Sequence, residues 1–167
     1  MVINLENLFN NDGEILEVNT ELDFSENEVS GVKPFVSPVK VKGNFVNNTG
    51  IVSIKAVAEF MYSAPCDRCA TQVERKMTVP IEHFFAVSLN NDNNDDYILV
   101  EDMRLDFDEL IYSDVYLSLP TKFLCKEDCK GLCSICGKNL NIAPCDCKKP
   151  MDSRWAVLSQ LLEDDDE

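Results

Sequence analysis

Eight cysteines carry the reactive chemistry of this sequence, and six of them are crowded into one short stretch. That stretch is LCKEDCKGLCSICGKNLNIAPCDC, residues 124–147, and the upstream segment APCDRCA holds the other two. Clustered thiols can form disulfides, act as a redox centre or bind metal ions. The eight are Cys66, Cys69, Cys125, Cys129, Cys133, Cys136, Cys145 and Cys147.

The spacing of these cysteines favours metal binding. A Cys-x-x-Cys pair on a tight turn brings two sulfurs within reach of one ion, and zinc in structural sites takes four tetrahedral ligands, often thiolates. In CSICG, Gly137 permits the positive φ that such a turn often needs. The pattern predicts one or two structural Zn²⁺ ions, and an iron–sulfur cluster is the alternative for the same ligands.

Eight thiols suffice for two four-cysteine sites. We prefer a pairing in which the second Cys-x-x-Cys pair joins the last two cysteines, and the first joins the two cysteines near residue 127. The first proposed site consists of Cys133, Cys136, Cys145 and Cys147. The second consists of Cys66, Cys69, Cys125 and Cys129. The rival arrangement is a single site built from four of the six clustered cysteines, with Cys66 and Cys69 outside it.

Two other uses of the thiols are less consistent with the sequence. The N-terminus MVINLENLFNNDGE has no basic region followed by an apolar one, so we expect no signal peptide and a cytoplasmic location. Thiols stay reduced in that compartment, which argues against disulfides. A thiol redox protein using Cys66 and Cys69 remains an alternative, although CDRC lies between apparent strands rather than in a βαβ pattern.

The net charge of −15 argues against a general nucleic-acid binder. Residues 121–155 are the exception, with seven basic and four acidic residues. This basic island could contact the phosphates of RNA, or it could be a solvated loop that offsets the charge of zinc-bound thiolates. Its candidate RNA-binding residues are Lys122, Lys126, Lys130, Lys138, Lys148, Lys149 and Arg154.

The elements that must position the cysteines are mostly strands. Apolar residues alternate over 39–45 and again over 52–62, with the turn sequence NNTG between them, which predicts a long hairpin. A third strand is predicted over 71–81, extending towards Leu89, so that CDRC falls at the connection between two strands. YILV predicts a short strand at 97–100.

Two helices complete the prediction. One begins after Asp106, which resembles a capping residue with Glu109 three positions later, and it ends at Pro120. The other follows Asp152 and leads into the acidic tail. The fold class predicted is α+β, a mostly antiparallel β domain with a packed helix. Its divisions are residues 1–120, a zinc-ribbon-like cysteine segment at 121–150, and a terminal helix with acidic tail at 151–167.

The remaining features point away from catalysis. His83 is the only histidine, and its apolar strand context predicts a structural role. The carboxylates of the first helix are explained by capping and solvation. The polar run NNDNNDD lacks the glycine and the terminal glutamate of an EF-hand loop. We find no apolar run long enough to span a membrane, so we expect no membrane partner. We also expect no small-molecule substrate.

Taken together, several motifs resemble the YceD-like family of large ribosomal RNA subunit accumulation proteins. They are PCDRC after a long strand, DELIYSDVYLSLP, LCKEDCKGLCSICGKNLN, the following CDC and a terminal DSRWAVL. The resemblance covers about residues 30–162. It aligns the family's Cys-x-x-Cys with Cys66 and Cys69, and the family's C-terminal cysteines, which some relatives lack, with the other six.

The resemblance implies a cytoplasmic, non-enzymatic factor in the accumulation or processing of large-subunit (23S) ribosomal RNA and in ribosome biogenesis. Its partner would then be ribosomal RNA or a ribosomal protein. An alternative is a zinc-ribbon adaptor for a basic ribosomal protein, since opposite net charge favours association.

Overall fold

The structure is a computed structural model, and it describes residues 1–88, 96–100 and 102–147. Its fold is α+β, with more strands than helices, as the sequence predicts. In chain order the elements are β1 (Val2–Asn4), α1 (Glu6–Asn10), β2 (Ile15–Leu22), β3 (Val39–Asn48), β4 (Ile51–Pro65), β5 (Gln72–Ala86), β6 (Tyr97–Leu99), β7 (Arg104–Asp106) and α2 (Phe107–Ser118).

Five of the strands form one sheet in the order β2-β3-β4-β5-β6, and β1 pairs with β7 in a separate two-stranded sheet. The predicted hairpin is present as β3 and β4, and the predicted third strand is β5. Every strand pair is antiparallel except β5 with β6, which is parallel. The larger sheet is therefore mixed, a detail that the alternation of residues does not reveal.

One face of the five-stranded sheet packs against α2. Phe45 and Ile54 are register partners on β3 and β4, and both are fully buried. The ring of Phe45 lies 5.9 Å from that of Phe85 and 6.1 Å from that of Phe107, which begins α2. Because strand side chains alternate between faces, this packing leaves the side chains of the other face outside the apolar core.

The helix α2 begins and is anchored as its sequence indicates. The Asp106 carboxylate accepts a hydrogen bond from the Glu109 backbone N–H at 3.3 Å, which confirms the predicted N-cap. Later in the helix, Asp114 lies 2.7 Å from the Nε2 atom of His83 on β5. Both side chains are partly buried, so the histidine serves as a contact between helix and sheet.

Contacts between residues divide the chain into two units. Among the described residues, the first unit contains residues 1–65, 72–88, 96–100 and 102–123, and the second contains residues 66–71 and 124–147. The loop between β4 and β5 thus belongs to the same unit as the cysteine-rich segment. The predicted terminal helix at 151–167, and the acidic loop apart from Asp96, lie outside the described residues.

The polar side chain of Asn47 holds the start of the first unit in place. It is almost fully buried, donates to the carbonyl oxygens of Leu8 at 2.7 Å and Asn11 at 3.0 Å, and accepts from the Gly50 N–H at 3.0 Å. Such a side chain satisfies backbone groups that a buried loop would otherwise leave unpaired. In the part of the chain that the structure describes, no helix is long and apolar enough to span a membrane.

Replacing Asn47 with alanine should therefore destabilise the first unit. Each buried backbone group left unpaired costs about 1–3 kcal/mol, so we expect the free energy of unfolding to fall by about 2–4 kcal/mol. Urea unfolding followed by circular dichroism measures the change. The matched control is Asn48→Ala, whose side chain is exposed and whose effect should stay within about 0.5 kcal/mol. Equal effects of the two substitutions would contradict this role for Asn47.

Candidate metal centre

The two Cys-x-x-Cys loops have the same backbone hydrogen bonds. In the first loop, the Ala70 N–H donates to the Cys66 carbonyl at 2.8 Å, and the Cys66 N–H donates to Thr71 at 2.9 Å. In the second, the Gly137 N–H donates to the Cys133 carbonyl at 2.9 Å, and the Cys133 N–H donates to the Lys138 carbonyl at 2.8 Å. Both loops therefore form the same kind of turn, and such a turn places its two cysteine sulfurs on the same side of the loop.

Each turn needs a residue with positive φ at its fifth position. Gly137 fills that position in the second loop with φ of 69°, as its sequence predicts, whereas Ala70 fills it in the first loop with φ of 54°. A left-handed conformation costs an L-residue roughly 1–2 kcal/mol. The first loop adopts the turn in spite of this cost, which indicates that other contacts hold it.

The first group of sulfurs, called here the inner quartet, consists of Cys66, Cys69, Cys125 and Cys129. The Sγ atoms of Cys66 and Cys129 lie 3.8 Å apart, and those of Cys69 and Cys125 lie 3.6 Å apart. All four sulfurs are within 4.8 Å of one another. Three of the four residues are buried and Cys125 is partly buried, so this group is largely shielded from solvent.

Contacts within the second unit hold the inner quartet together. The Arg68 guanidinium donates to the Cys129 carbonyl at 2.9 Å, and the Leu132 N–H donates to the Arg68 carbonyl at 3.0 Å. The Asn141 side-chain amide lies 3.3 Å from the Cys129 sulfur. These bonds join the β4–β5 loop to the segment around residue 130, and they orient the sulfurs as outer-shell contacts do in metal sites.

The protonation of the inner quartet is uneven. Burial raises the pKa of the Cys66 thiol, but backbone N–H groups of Cys125, Arg68 and Cys69 donate to its sulfur and lower that pKa to about 6. Burial and the neighbouring cysteine sulfurs, led by that of Cys129, raise the pKa of Cys125 to about 12. Cys66 is thus favoured as a thiolate, whereas ionisation of the neighbouring Cys125 is disfavoured.

The second group of sulfurs, called here the outer quartet, consists of Cys133, Cys136, Cys145 and Cys147. Its four sulfurs also lie within 4.8 Å of one another. Cys136 and Cys147 are exposed, whereas Cys133 and Cys145 are partly buried, so this group is more accessible than the inner quartet. The structure therefore brings together the same two groups of four cysteines that the preferred pairing names.

The outer quartet has the same uneven protonation. Hydrogen bonds from the backbone N–H groups of Cys136 and Ile135 lower the pKa of the Cys133 thiol to about 6. The neighbouring Cys136 sulfur, together with burial, raises the pKa of Cys147 to about 12. Four thiolates cannot share either quartet without a positive charge among them, and a divalent cation supplies that charge.

The geometry of both quartets fits a metal ion. Four thiolates placed tetrahedrally at about 2.3 Å from one ion have sulfurs about 3.8 Å apart. The two distances measured in the inner quartet are close to that value. The structure thus contains two groups of four cysteines that could each hold one metal ion, and the geometry does not identify the metal.

The predicted RNA-binding lysines are spread over both units. Lys122 belongs to the first unit, and Lys126, Lys130 and Lys138 belong to the second. All four side chains are exposed. Lys126 lies 3.7 Å from Asp128, and the Lys138 ammonium donates to a carbonyl at 3.1 Å. The other three predicted residues, Lys148, Lys149 and Arg154, lie outside the described residues.

Sequence reasoning missed several residues that support the sulfurs. Arg68, Thr71 and Asn141 all contact the inner quartet or its backbone, and the Cys69 sulfur lies 3.3 Å from the Thr71 hydroxyl. Arg68 sits between the two cysteines of CDRC, so its position alone was a usable signal. The position of Asn141 in the sequence gave no such signal, because its contact depends on a turn that returns the chain to Cys129.

Comparisons with known proteins give a family match. A family described as "Large ribosomal RNA subunit accumulation protein YceD" matches residues 54–162, which include all eight cysteines. The uncharacterized protein YlbN of Bacillus subtilis (strain 168) is 30% identical over 135 residues, covering 79% of this chain and 78% of the relative.

Mycobacterial proteins are similar over a smaller share of their length. An uncharacterized protein of Mycobacterium tuberculosis (strain H37Rv) is 31% identical over 118 residues, covering 68% of this chain and 54% of the relative. An uncharacterized protein of Mycobacterium leprae (strain TN) is 30% identical over 120 residues, which cover 70% of this chain and 52% of the relative. The chain spans about half the length of these mycobacterial relatives. No solved structure gives a significant match.

The difference in burial between the quartets predicts the order in which metal-free protein reacts with an alkylating reagent. Exposed Cys136 should be modified by iodoacetamide first, and buried Cys66, Cys69 and Cys129 last. Cys147 is exposed too, but it should react after Cys136, because the neighbouring sulfur and burial raise its pKa and keep the thiol protonated. Peptide mass spectrometry after timed exposure measures the order. The control is protein in guanidinium chloride, in which all eight should react alike. Early modification of Cys66 or Cys129 in the folded protein would contradict the described burial.

Proposed function

The chain belongs to the YceD family of large ribosomal RNA subunit accumulation proteins, and on that premise we propose that it is a non-enzymatic factor in the accumulation and processing of large-subunit ribosomal RNA. The single observation that carries the proposal is the family match over residues 54–162. The factor acts in the cytoplasm during ribosome biogenesis. Its second unit then serves as a rigid, metal-held module.

The metal that we propose for both quartets is Zn²⁺. Zinc favours four-thiolate sites with tetrahedral geometry, and the two turn-mounted Cys-x-x-Cys pairs suit that preference. When bound, the ion supplies folding energy and neutralises part of the thiolate charge. Cys66, Cys69, Cys125 and Cys129 would hold one ion. Cys133, Cys136, Cys145 and Cys147 would hold the other.

The closed donor sets support a structural role for the metal. Catalytic zinc sites keep a coordination position for water or substrate, whereas sites with four protein ligands do not. In each quartet all four sulfurs lie close enough to share one ion, so no position is left over. The buried state of Cys66 and Cys69 also disfavours the thiol redox alternative, because a disulfide substrate must reach the attacking sulfur.

The charge of the second unit supports protein contact more than broad RNA contact. Within residues 66–71 and 124–147, four basic side chains are matched by four acidic ones. Two zinc ions with eight thiolates would then leave this part of the chain with a formal charge of −4. Phosphate binding depends on an excess of Lys and Arg. As a second candidate function, we therefore propose that the chain is an adaptor that binds a basic ribosomal protein.

Metal content tests the two zinc sites directly. Elemental mass spectrometry of the purified chain should give two zinc ions per chain, and Cys129→Ser or Cys133→Ser should each reduce this to one. Ser134→Ala is the matched control, since Ser134 lies inside the outer turn without supplying a ligand, and it should retain two. Zinc-free protein with eight free thiols, or iron in place of zinc, would reject the proposal for the metal.

Ribosomal RNA levels test the function itself. Deleting the gene in its host should lower the ratio of large-subunit to small-subunit ribosomal RNA, measured at matched growth rate. The full chain and Ser134→Ala should restore the ratio, whereas Cys129→Ser should not, because it removes a ligand of the buried site. An unchanged ratio in the deletion strain would contradict the proposed function, whatever the metal content proves to be.

A further inference from the structure

The face of the five-stranded sheet that points away from α2 carries a row of mostly apolar side chains. Strand register places five residues side by side across all five strands. They are, from β2 to β6, Ile15, Val46, Ser53, Phe84 and Tyr97. Four of the five are apolar or aromatic, whereas the adjacent row that begins at Glu17 is charged and polar. These five residues are called here the apolar row.

The side chains of the apolar row are accessible. Ile15 is 57% exposed and Phe84 is 38% exposed, and Val46 and Tyr97 are partly exposed. The rings of Phe84 and Tyr97 lie 6.1 Å apart with their planes tilted by 53°. An exposed row of this kind, on a sheet whose opposite face already holds the core, is characteristic of an interaction surface.

Acidic residues lie along one side of the apolar row and in the segments that lead into its two edge strands. The next row of the same face runs Glu17, Asn44, Lys55 and Glu82 from β2 to β5. Asp12 and Glu14 precede Ile15 in the chain, and Asp96 precedes Tyr97. All five carboxylates belong to exposed residues, and the single ammonium, that of Lys55, lies 3.0 Å from the Glu82 carboxylate. These residues, called here the acidic rim, therefore carry more negative than positive charge.

From this arrangement we propose that the apolar row is a docking surface for a basic protein segment that carries apolar side chains. The apolar side chains of such a segment would bury Ile15, Phe84 and Tyr97, and its Lys and Arg side chains would meet the acidic rim. Complementary charge steers such partners together and excludes like-charged ones. The proposal deepens the proposed function, on which it rests for its biological setting, by specifying where a basic partner binds.

Two other occupants fit the surface less well. Exposed aromatic rings can stack on the bases of single-stranded RNA, but that mode also needs a positive groove for the phosphates, and here carboxylates outnumber lysines. A second copy of the chain would bring two negative rims together. Both occupants place like charges against each other, so we expect neither to bind at this surface.

Binding of a defined peptide tests the surface on the full chain. The probe is a fluorescent peptide of alternating lysine and valine, compared with an alternating glutamate and valine peptide and with an oligouridine. We expect only the lysine peptide to bind, more weakly as salt rises. Ile15→Ser and Phe84→Ser leave the charge unchanged, and each should weaken binding about tenfold by removing an apolar contact, which equals about 1.4 kcal/mol.

Matched controls separate local effects from general ones. Val57→Ser removes a 40% exposed apolar side chain on the same face but outside the apolar row, so it should bind the peptide like the parent chain. Circular dichroism and thermal unfolding establish that each variant is folded. Because Ile15 lies on an edge strand and is more exposed than Phe84, it provides a second variant if Phe84→Ser does not fold.

Three results would overturn the inference. They are peptide binding that Ile15→Ser and Phe84→Ser leave unchanged, oligouridine binding that these variants abolish, and a dimer of the parent chain that they dissociate. Peptide binding tests whether the apolar row is a docking surface, whereas ribosomal RNA levels in cells test the proposed function. Failure of one is thus distinguishable from failure of the other.

Discussion

The second unit has almost no apolar interior, and this constraint shapes the rest of the molecule. The apolar core includes no described residue of the second unit, in which the buried side chains are those of Cys66, Cys69 and Cys129. Hydrophobic burial, which stabilises most small domains, is therefore largely missing here. In the function proposed above, the attraction between clustered sulfurs and a bound cation takes its place. The backbone bonds around Arg68 and Asn141 position the sulfurs, but they are too few to hold the segment alone.

The groups that carry negative charge differ between the two units. In the first, carboxylates stay on the surface, where water solvates them and exposed lysines pair with some of them across the strands. In the second, potential negative charge is concentrated at the sulfurs. There backbone N–H groups lower the pKa of Cys66 despite its burial, whereas burial and neighbouring sulfurs raise the pKa of Cys125, so the thiols of one quartet do not ionise alike.

Much of the fold followed from local patterns. Alternation predicted β3, β4 and β5, and the cap at Asp106 predicted α2, because in each case neighbouring residues determine the structure. The opening elements β1, α1 and β2 were not predicted, since they are stabilised by distant partners such as Asn47. The parallel pairing of β6 was missed for the same reason. Three residues are too short to reveal their partner.

The candidate site was predictable in its ligands and less so in its supports. Cysteine spacing indicated both quartets, because thiols are rare enough that their grouping is informative. Ala70 was not recognised as the positive-φ residue of the first turn, because alanine gives no sign of a left-handed conformation. The apolar row was missed as well, since its members come from five strands and only the register aligns them.

The sequence separation of the ligands implies an order of assembly. The outer quartet is confined to residues 133–147, so only a short loop has to close to bring its four sulfurs together. The inner quartet joins Cys66 to Cys129, which are 63 residues apart, and it needs the β4–β5 hairpin to present its first two sulfurs. Closing a longer loop costs more entropy and takes longer. Completion of the inner quartet is thus a late step, one that reports that both distant parts of the chain have reached their places.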